Sequence, residues 1–416
     1  MRILIHGLNF SPEKIGIGKY TGEMAAWLAQ GRHEVRVVTA PPYYPDWKVQ
    51  TPYRKWKFQY ETWQGVEVFR CPLWVPAKPS GITRILHLLS FAVSSSLEMS
   101  RQVKWKPDIV FCVAPTIFCT PASLRTARKS KAISWLHIQD FELDAATNLG
   151  MVKSGNAITR IATHWERTIL ARFDRVSSIS NNMVARLVEK GVPTQKAVLF
   201  PNWVDTEVIH PLQENLNPYR EQLGIKGDQI LVLYSGNMGV KQGLGLVVDT
   251  AKRLQENDQF VFVLCGDGAA RRSLERAAEG LPNLKFLDLQ PPEELNLLLN
   301  SADIHILPQQ AGAADLVMPS KLLGMLSSSK PVIATANQDT ELAEVVNQIG
   351  IVVPPGDVEG TIQAVLKLAA SSKLCNELGK KGREMVGNQW DIKVVLNELT
   401  TRFTESLSHS NYNYPE

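Results

Sequence analysis

Three stretches in the second half of the chain supply between them two glycine turns and two lysines in a way suited to holding a diphosphate. In "YSGNMGVKQGL", directly after an apolar run, Gly236 and Gly239 can expose backbone N–H groups, Asn237 lies between them, and Lys241 adds a positive charge. The stretch "CGDGAARRSL" repeats the turn with Gly266 and Gly268. In "PSKLLGMLSSSKPVIAT", Pro319 suits the first turn of a helix, Ser320 follows it, and Lys321 projects from a terminus whose dipole already favours anions. Either glycine turn taken singly reads equally well as a plain strand-to-helix connection. Both turns together with a lysine-bearing helix start point to phosphate. Residue 324 stands about one turn beyond Lys321 and shares its face. A carboxylate there could accept hydrogen bonds from a ribose diol, and Gly324 cannot.

The first half carries a weaker signal of the same kind. In "FSPEKIGIGKYTGEMAAWLAQG", Pro12, Gly16 and Gly18 fall between a first strand and an amphipathic helix, where glycines let backbone amides approach a phosphate or sugar. The spacing is not the dinucleotide fingerprint, and a merely tight turn is the alternative reading.

These loops need parallel sheets to position them, and the apolar runs supply the pattern. Strands are expected at "RILIHG", "EVRVVTA", "DIVFCVA", "AISWLHI", "RVSSIS" and "AVLFPN", with helical stretches between them. The pattern restarts at "QILVLYSG", "FVFVLCG", "LKFLDL", "IHILP", "PVIAT" and "GIVVPP". The fold class is therefore α/β, with two doubly wound Rossmann-like domains at 1–205 and 206–387. A C-terminal helix is expected over 388–407, joined to the first domain, and a disordered tail over 408–416. Ligands of such sheets bind at the carboxyl ends of the strands, which puts the reactive site in a cleft between two facing domains.

Composition narrows the class. A chain of 416 residues with 44% hydrophobic and 21% charged residues is a folded protein of more than one domain. Its five cysteines are scattered and lack the close pairs of zinc or redox motifs. No apolar run reaches the roughly 18 residues of a spanning helix, and the N-terminus reads as a strand rather than a signal peptide, so a cytoplasmic location is expected. The net charge of +4 hides an asymmetry: Met1 to Asp205 holds 27 Lys and Arg against 15 Asp and Glu, and the remainder 18 against 26. No recognition helix or base-stacking motif accompanies the basic half, so nucleic acid is not expected as a partner.

An anionic membrane surface fits that half as well. The segment "YYPDWKVQTPYRKWKFQYETWQG" interleaves aromatics with Arg54, Lys55 and Lys57, and "SGITRILHLLSFAVSSSLEMSRQ" places Ile82, Ile85, Leu86, Leu89 and Val93 near helical spacing. A core helix beside a solvated loop is the bland alternative.

The ordered set "VSSISNNMVARLVEKGVPTQKAVLFPNWVD", "LVLYSGNMGVKQGL", "VLCGDG", "IHILPQ" and "PSKLLGMLSSSKPVIAT" resembles retaining glycosyltransferase family 4 in its GT-B fold. The "SGNMG" and "MPSK" wording resembles a branch serving bacterial exopolysaccharides such as colanic acid. By this resemblance the C-terminal domain binds a nucleotide diphosphate sugar, GDP-fucose or a UDP-hexose, and the N-terminal domain binds a polyprenyl-diphosphate-linked glycan at the cytoplasmic face of the inner membrane. Lys241 and Lys321 match the positions expected to neutralise the diphosphate, and Gly236, Gly266 and Gly268 sit in loops expected to touch the donor. The family often carries Arg where this chain has Asn237, and two glutamates where it has Leu316 and Gly324. Asp315, one position out of register, is a candidate substitute for the first. In "WLHIQDFELDAATNLG", Asp140 matches a family acidic position, so Asp140 and Glu142 are candidates for sugar or acceptor contacts, whereas His137 is displaced and reads as structural. No metal or other cofactor is expected. Two rival classes stand beside this reading: a sugar-nucleotide epimerase on the same architecture, and a non-catalytic glycan-binding paralogue whose donor site has decayed.

Overall fold

The computed structural model describes residues 1–114, 117–141, 157–212, 217–227, 229–310 and 319–411. They form two compact units, Met1–Pro201 with Leu396–Glu416, and Asn202–Val395.

The first unit is built on an eight-stranded sheet of order β3-β4-β2-β1-β5-β6-β7-β8. Its strands are β1 (Arg2–Gly7), β2 (Glu34–Thr39), β3 (Gln59–Trp63), β4 (Val66–Arg70), β5 (Ile109–Ala114), β6 (Ile133–Ile138), β7 (Arg175–Ser178) and β8 (Ala197–Leu199). All neighbours are parallel except β3 and β4, an antiparallel hairpin at the edge. That hairpin is absent from the sequence expectation, which places "FQYETWQG" in an aromatic and basic stretch and assigns no element to "VEVFR". Gln64 and Gly65, both at positive φ, close its two-residue turn. Because β3 lies at the edge, half-exposed and exposed residues alternate along it, and no apolar run marks it.

The second unit carries six parallel strands in the order β11-β10-β9-β12-β13-β14: β9 (Ile230–Ser235), β10 (Phe260–Cys265), β11 (Leu284–Leu287), β12 (Ile304–Leu307), β13 (Val332–Thr335) and β14 (Gly350–Val353). Both faces of this sheet are covered. Val232, Tyr234, Phe262 and Leu264 pack on Val247, Val248, Ala251 and Val365, while Leu231, Leu233, Val261 and Val263 pack on Tyr219, Leu223 and Leu298. Strands buried on two sides are apolar throughout, which is why they stand out in the sequence. The order reverses at β9 and β12, so their carboxyl ends flank the crevice where doubly wound sheets take ligands.

The units divide at 201/202 and 395/396, a few residues away from the expected 205 and 387. The shift has a local cause. Val204 N–H donates to the Trp390 carbonyl, Thr206 Oγ1 donates to Asp391, and Arg383 donates to the carbonyls of Thr206 and Ile209, so residues after Pro201 are fastened to the second unit. The expected C-terminal helix at 388–407 corresponds to Ile392–Asn411, while residues 388 and 389 end a separate helix, Ser372–Gln389, with Trp390 and Asp391 between the two. Residues 408–411, expected in a disordered tail, continue the second of them, in which Ser406 is buried and Ser408 Oγ donates to the Thr404 carbonyl.

Candidate functional site

At the carboxyl end of β9 the chain turns through Gly236, whose φ of +142° is open to glycine and strained for other residues. A Cβ here would stand 3.1 Å from Lys321 Nζ. Gly266, at φ +139° after β10, packs backbone to backbone against that turn, and a Cβ on it would overlap the Gly236 carbonyl oxygen. Hydrogen bonds close the pair of loops: Gly236 N–H donates to the Cys265 carbonyl at 2.9 Å, Met238 N–H to Asp267 at 2.8 Å, and Ala270 N–H to Met238 at 2.9 Å. Arg271 donates to the Gly266 carbonyl at 2.7 Å and pairs with Glu275 and Asp288, so the second turn is anchored by a guanidinium. The absence of a side chain at Gly268 leaves room for the Asn237 amide oxygen.

Lys321 enters from the other side of the switch point. It lies in the first turn of the helix Ser320–Ser327, behind Pro319, and no side chain caps that terminus. Its Nζ donates to the Tyr234 hydroxyl at 2.6 Å and lies 4.5 Å from the centre of the same ring. No carboxylate pairs with it among the described residues. Burial without a counter-ion pulls its pKa from the usual lysine value down to about 8. An ammonium so placed is a standing demand for an anion.

Lys241 lies on the short helical turn Val240–Gln242, exposed, with no side-chain partner among the described residues. Its carbonyl accepts from Gln310 N–H at 3.1 Å, which ties the turn to the end of β12. The second unit therefore brings Gly236, Asn237, Gly266, Gly268, Lys241, Ser320 and Lys321 to the carboxyl ends of neighbouring strands. Gly324 lies one turn into the helix beside Leu299, so the helix offers no acceptor at that position. Asp315, Leu316 and Glu142 lie outside the described residues.

The first unit holds the remaining candidates. Gly16 begins the helix Gly16–Gln30 at φ +63° and is exposed. Gly18 is buried, and a Cβ there would meet the Glu13 side chain. Glu13 is itself buried, accepting from the amides of Tyr43 and Tyr44 at 3.0 Å each and from Asn9 at 2.9 Å, while burial raises its pKa. Close packing on a carboxylate thus explains Gly18 locally. Arg70, also buried, holds the same loop through the carbonyls of Ser11 and Ala40. Asp140 is exposed just beyond β6. His137 is buried between Ser177 and Gln139, its pKa pushed down to about 3, which keeps it neutral.

Neither Tyr234 nor Arg271 is among the residues the sequence points to. The signal for Tyr234 was a lone hydroxyl at the carboxyl end of the apolar run "ILVLYS"; nothing in the spacing tied it to a lysine 87 positions later.

Known proteins can be set against this geometry. Residues 16–203 match the model of a glycosyl transferase 4-like domain, and residues 217–385 that of glycosyl transferases group 1. The chain is 42% identical over 373 residues to the colanic acid biosynthesis glycosyl transferase WcaI of Escherichia coli (strain K12), spanning 88% of this chain and 91% of that one. Among solved structures, sucrose-phosphate synthase of Thermosynechococcus elongatus superposes with a TM-score of 0.76 at 16% identity, over 98% of this chain and 99% of that one. Anabaena HepE in complex with UDP and glucose superposes with a TM-score of 0.69 at 13% identity, over 97% and 100%.

Proposed function

The chain belongs to the family 4 glycosyltransferases of GT-B fold, and on that premise we propose that it moves a hexose from a nucleotide diphosphate sugar to a lipid-linked glycan in exopolysaccharide assembly, with retention of the anomeric configuration. The observation that carries the donor half is Lys321: a half-buried ammonium without a carboxylate partner among the described residues, at a helix N-terminus no side chain caps, beside two interlocked glycine turns. Donors of this geometry match a diphosphate, and Lys241 on the neighbouring turn adds a second positive charge. In this reading the lysines and the helix terminus stabilise the leaving diphosphate without a metal, and that diphosphate helps take the proton of the acceptor hydroxyl. Asp140 serves the acceptor side. Exopolysaccharide as the destination rests on the named role of the E. coli relative, and GDP-fucose is the first donor to try, with UDP-hexoses beside it.

The membrane side of the reading rests on the helix Gly81–Gln102 of the first unit. Its buried face is largely polar, with His87, Ser95, Glu98 and Gln102, whereas Ile82, Ile85, Leu86, Leu89, Val93 and Leu97 are exposed. That inverts the usual helix of a water-soluble domain. The helix has one carboxylate, Glu98, which is buried. Exposed Trp56 and Phe58 alternate with Lys55 and Lys57 nearby, and Phe58 lies 5.8 Å under the Arg101 guanidinium at the helix end. An apolar stripe bordered by cations and aromatics suits the interface of an anionic bilayer, where a polyprenyl-linked acceptor resides.

The test is a panel of nucleotide sugars incubated with a polyprenyl-diphosphate-sugar acceptor, with and without EDTA, scored for the anomer of the product. Retained product that is indifferent to EDTA is expected. Inverted product overturns the mechanism, EDTA inhibition overturns metal independence, and a changed sugar nucleotide in the absence of acceptor shifts the reading to an epimerase.

A further inference from the structure

We infer that Tyr234 is a positioning residue for the donor diphosphate, its hydroxyl tying Lys321 on one element to the first glycine turn on another. This rests on the donor reading above and deepens it.

A phenol has one proton to give. The Tyr234 hydroxyl gives it to the Asn237 carbonyl at 2.6 Å, so at its 2.6 Å contact with Lys321 the same oxygen must accept. Lys321 is thereby fixed as the donor, with one of its three N–H bonds committed and two left for a ligand. The ring adds a second constraint, since Nζ lies 4.5 Å from its centre, and the bare α-carbon of Gly236 leaves room for the ammonium. A lysine side chain is otherwise free in four torsions, and ordering it before the ligand arrives removes part of the cost of binding. The bond to the Asn237 carbonyl at the other end commits the phenol's proton, so the hydroxyl acts on the ligand through the ammonium.

The chemical logic is that of a counter-dipole. Where a carboxylate would neutralise the ammonium and compete with the diphosphate, a neutral hydroxyl supports it and leaves its charge available. Tyr234 is the titratable group facing Lys321 among the described residues, and burial holds its own pKa far above neutrality, so it stays protonated throughout the range in which the lysine titrates.

Calorimetric titration of GDP and of UDP against the wild type, Tyr234→Phe, Lys321→Ala and the double variant decides the matter, with melting temperatures recorded to verify folding. Tyr234→Phe keeps the ring and removes one oxygen. It is expected to weaken binding about tenfold, the usual scale for a lost hydrogen bond to a charged group. The double variant should bind no more weakly than Lys321→Ala alone, because the hydroxyl acts through the ammonium. The pH at which binding fades should also move below its wild-type value in Tyr234→Phe, since the ammonium has lost its acceptor. Wild-type affinity and an unmoved pH profile in Tyr234→Phe would overturn the inference, as would losses that simply add. A Lys321→Ala variant that binds as well as the wild type would instead remove the donor reading on which it rests.

Discussion

Lys321 and Lys241 are asked to do different amounts of work, and their surroundings say why. Lys321 is half-buried, with its pKa drawn down to about 8, whereas Lys241 is exposed on a short turn. Replacing either by alanine should lower turnover more than about tenfold, as expected for loss of a charge-assisted contact to a leaving diphosphate. The two differ in pH dependence. Because its folded pKa lies below the ordinary lysine value, Lys321 loses its charge as pH rises through about 8, so diphosphate binding should weaken over that range. Stability of the free protein should move the other way: between pH 8 and the ordinary lysine pKa the unfolded chain binds more protons, so this residue's contribution makes folding more favourable as pH rises. Nucleoside diphosphate affinity and the melting temperature, measured from pH 7 to 10 on the wild type and Lys321→Ala, should separate these opposite slopes; parallel curves for the two proteins would refute the assignment. The lysines and glycines were legible in the sequence because turns and helix starts have local signatures. Tyr234 was not, since a strand hydroxyl acquires its role only when a distant helix delivers the ammonium.

At the scale of elements, the two glycine turns are one structure. Gly266→Ala would drive a Cβ into the Gly236 carbonyl at a positive φ, so we expect a loss of more than about 2 kcal/mol in stability of the second unit and of nucleoside diphosphate binding with it. A normally stable, normally binding variant would show that the loops are not interlocked. The helix Gly81–Gln102 is the opposite case, an element whose visible face contributes little to folding. Ile82 and Val93 are 75% and 68% exposed, so replacing both by glutamine should change stability by no more than about 0.5 kcal/mol, yet abolish most flotation with phosphatidylglycerol-containing vesicles. Equal flotation would exclude this stripe as the membrane contact. The apolar periodicity of this helix was readable from sequence; which side it faced was not, because a stripe at helical spacing ordinarily faces a core and the inversion is visible only once His87, Ser95 and Glu98 are found inside. The β3–β4 hairpin escaped for a related reason: residues of greater and lesser exposure alternate along both strands, which lack the apolar run that marks the other twelve.

Across the whole molecule, the two units are covalently interleaved: the chain leaves the first at Pro201, builds the second, and returns with Leu396. The return is secured by Leu396, Leu399 and Phe403, all buried, with Phe403 meeting Phe111 and Trp135 edge-on at 5.8 and 5.1 Å between ring centres. These aromatics come from β5, β6 and the last helix, so the core of the first unit cannot close until residues made after the entire second unit have arrived. Phe403→Ala should therefore cost about 3–5 kcal/mol, the range for truncating a buried aromatic, and the cost should fall on the first unit. The second unit has separate cores around Val232, Phe262 and Ile306 and around Leu322, Leu326 and Val346, none of which contains residue 403. Calorimetry of Phe403→Ala should show one lowered transition and one unchanged, and UDP or GDP should raise only the unchanged one. If both transitions fall together, or if nucleotide raises the lowered one, the units do not divide stability and donor binding between them in this way.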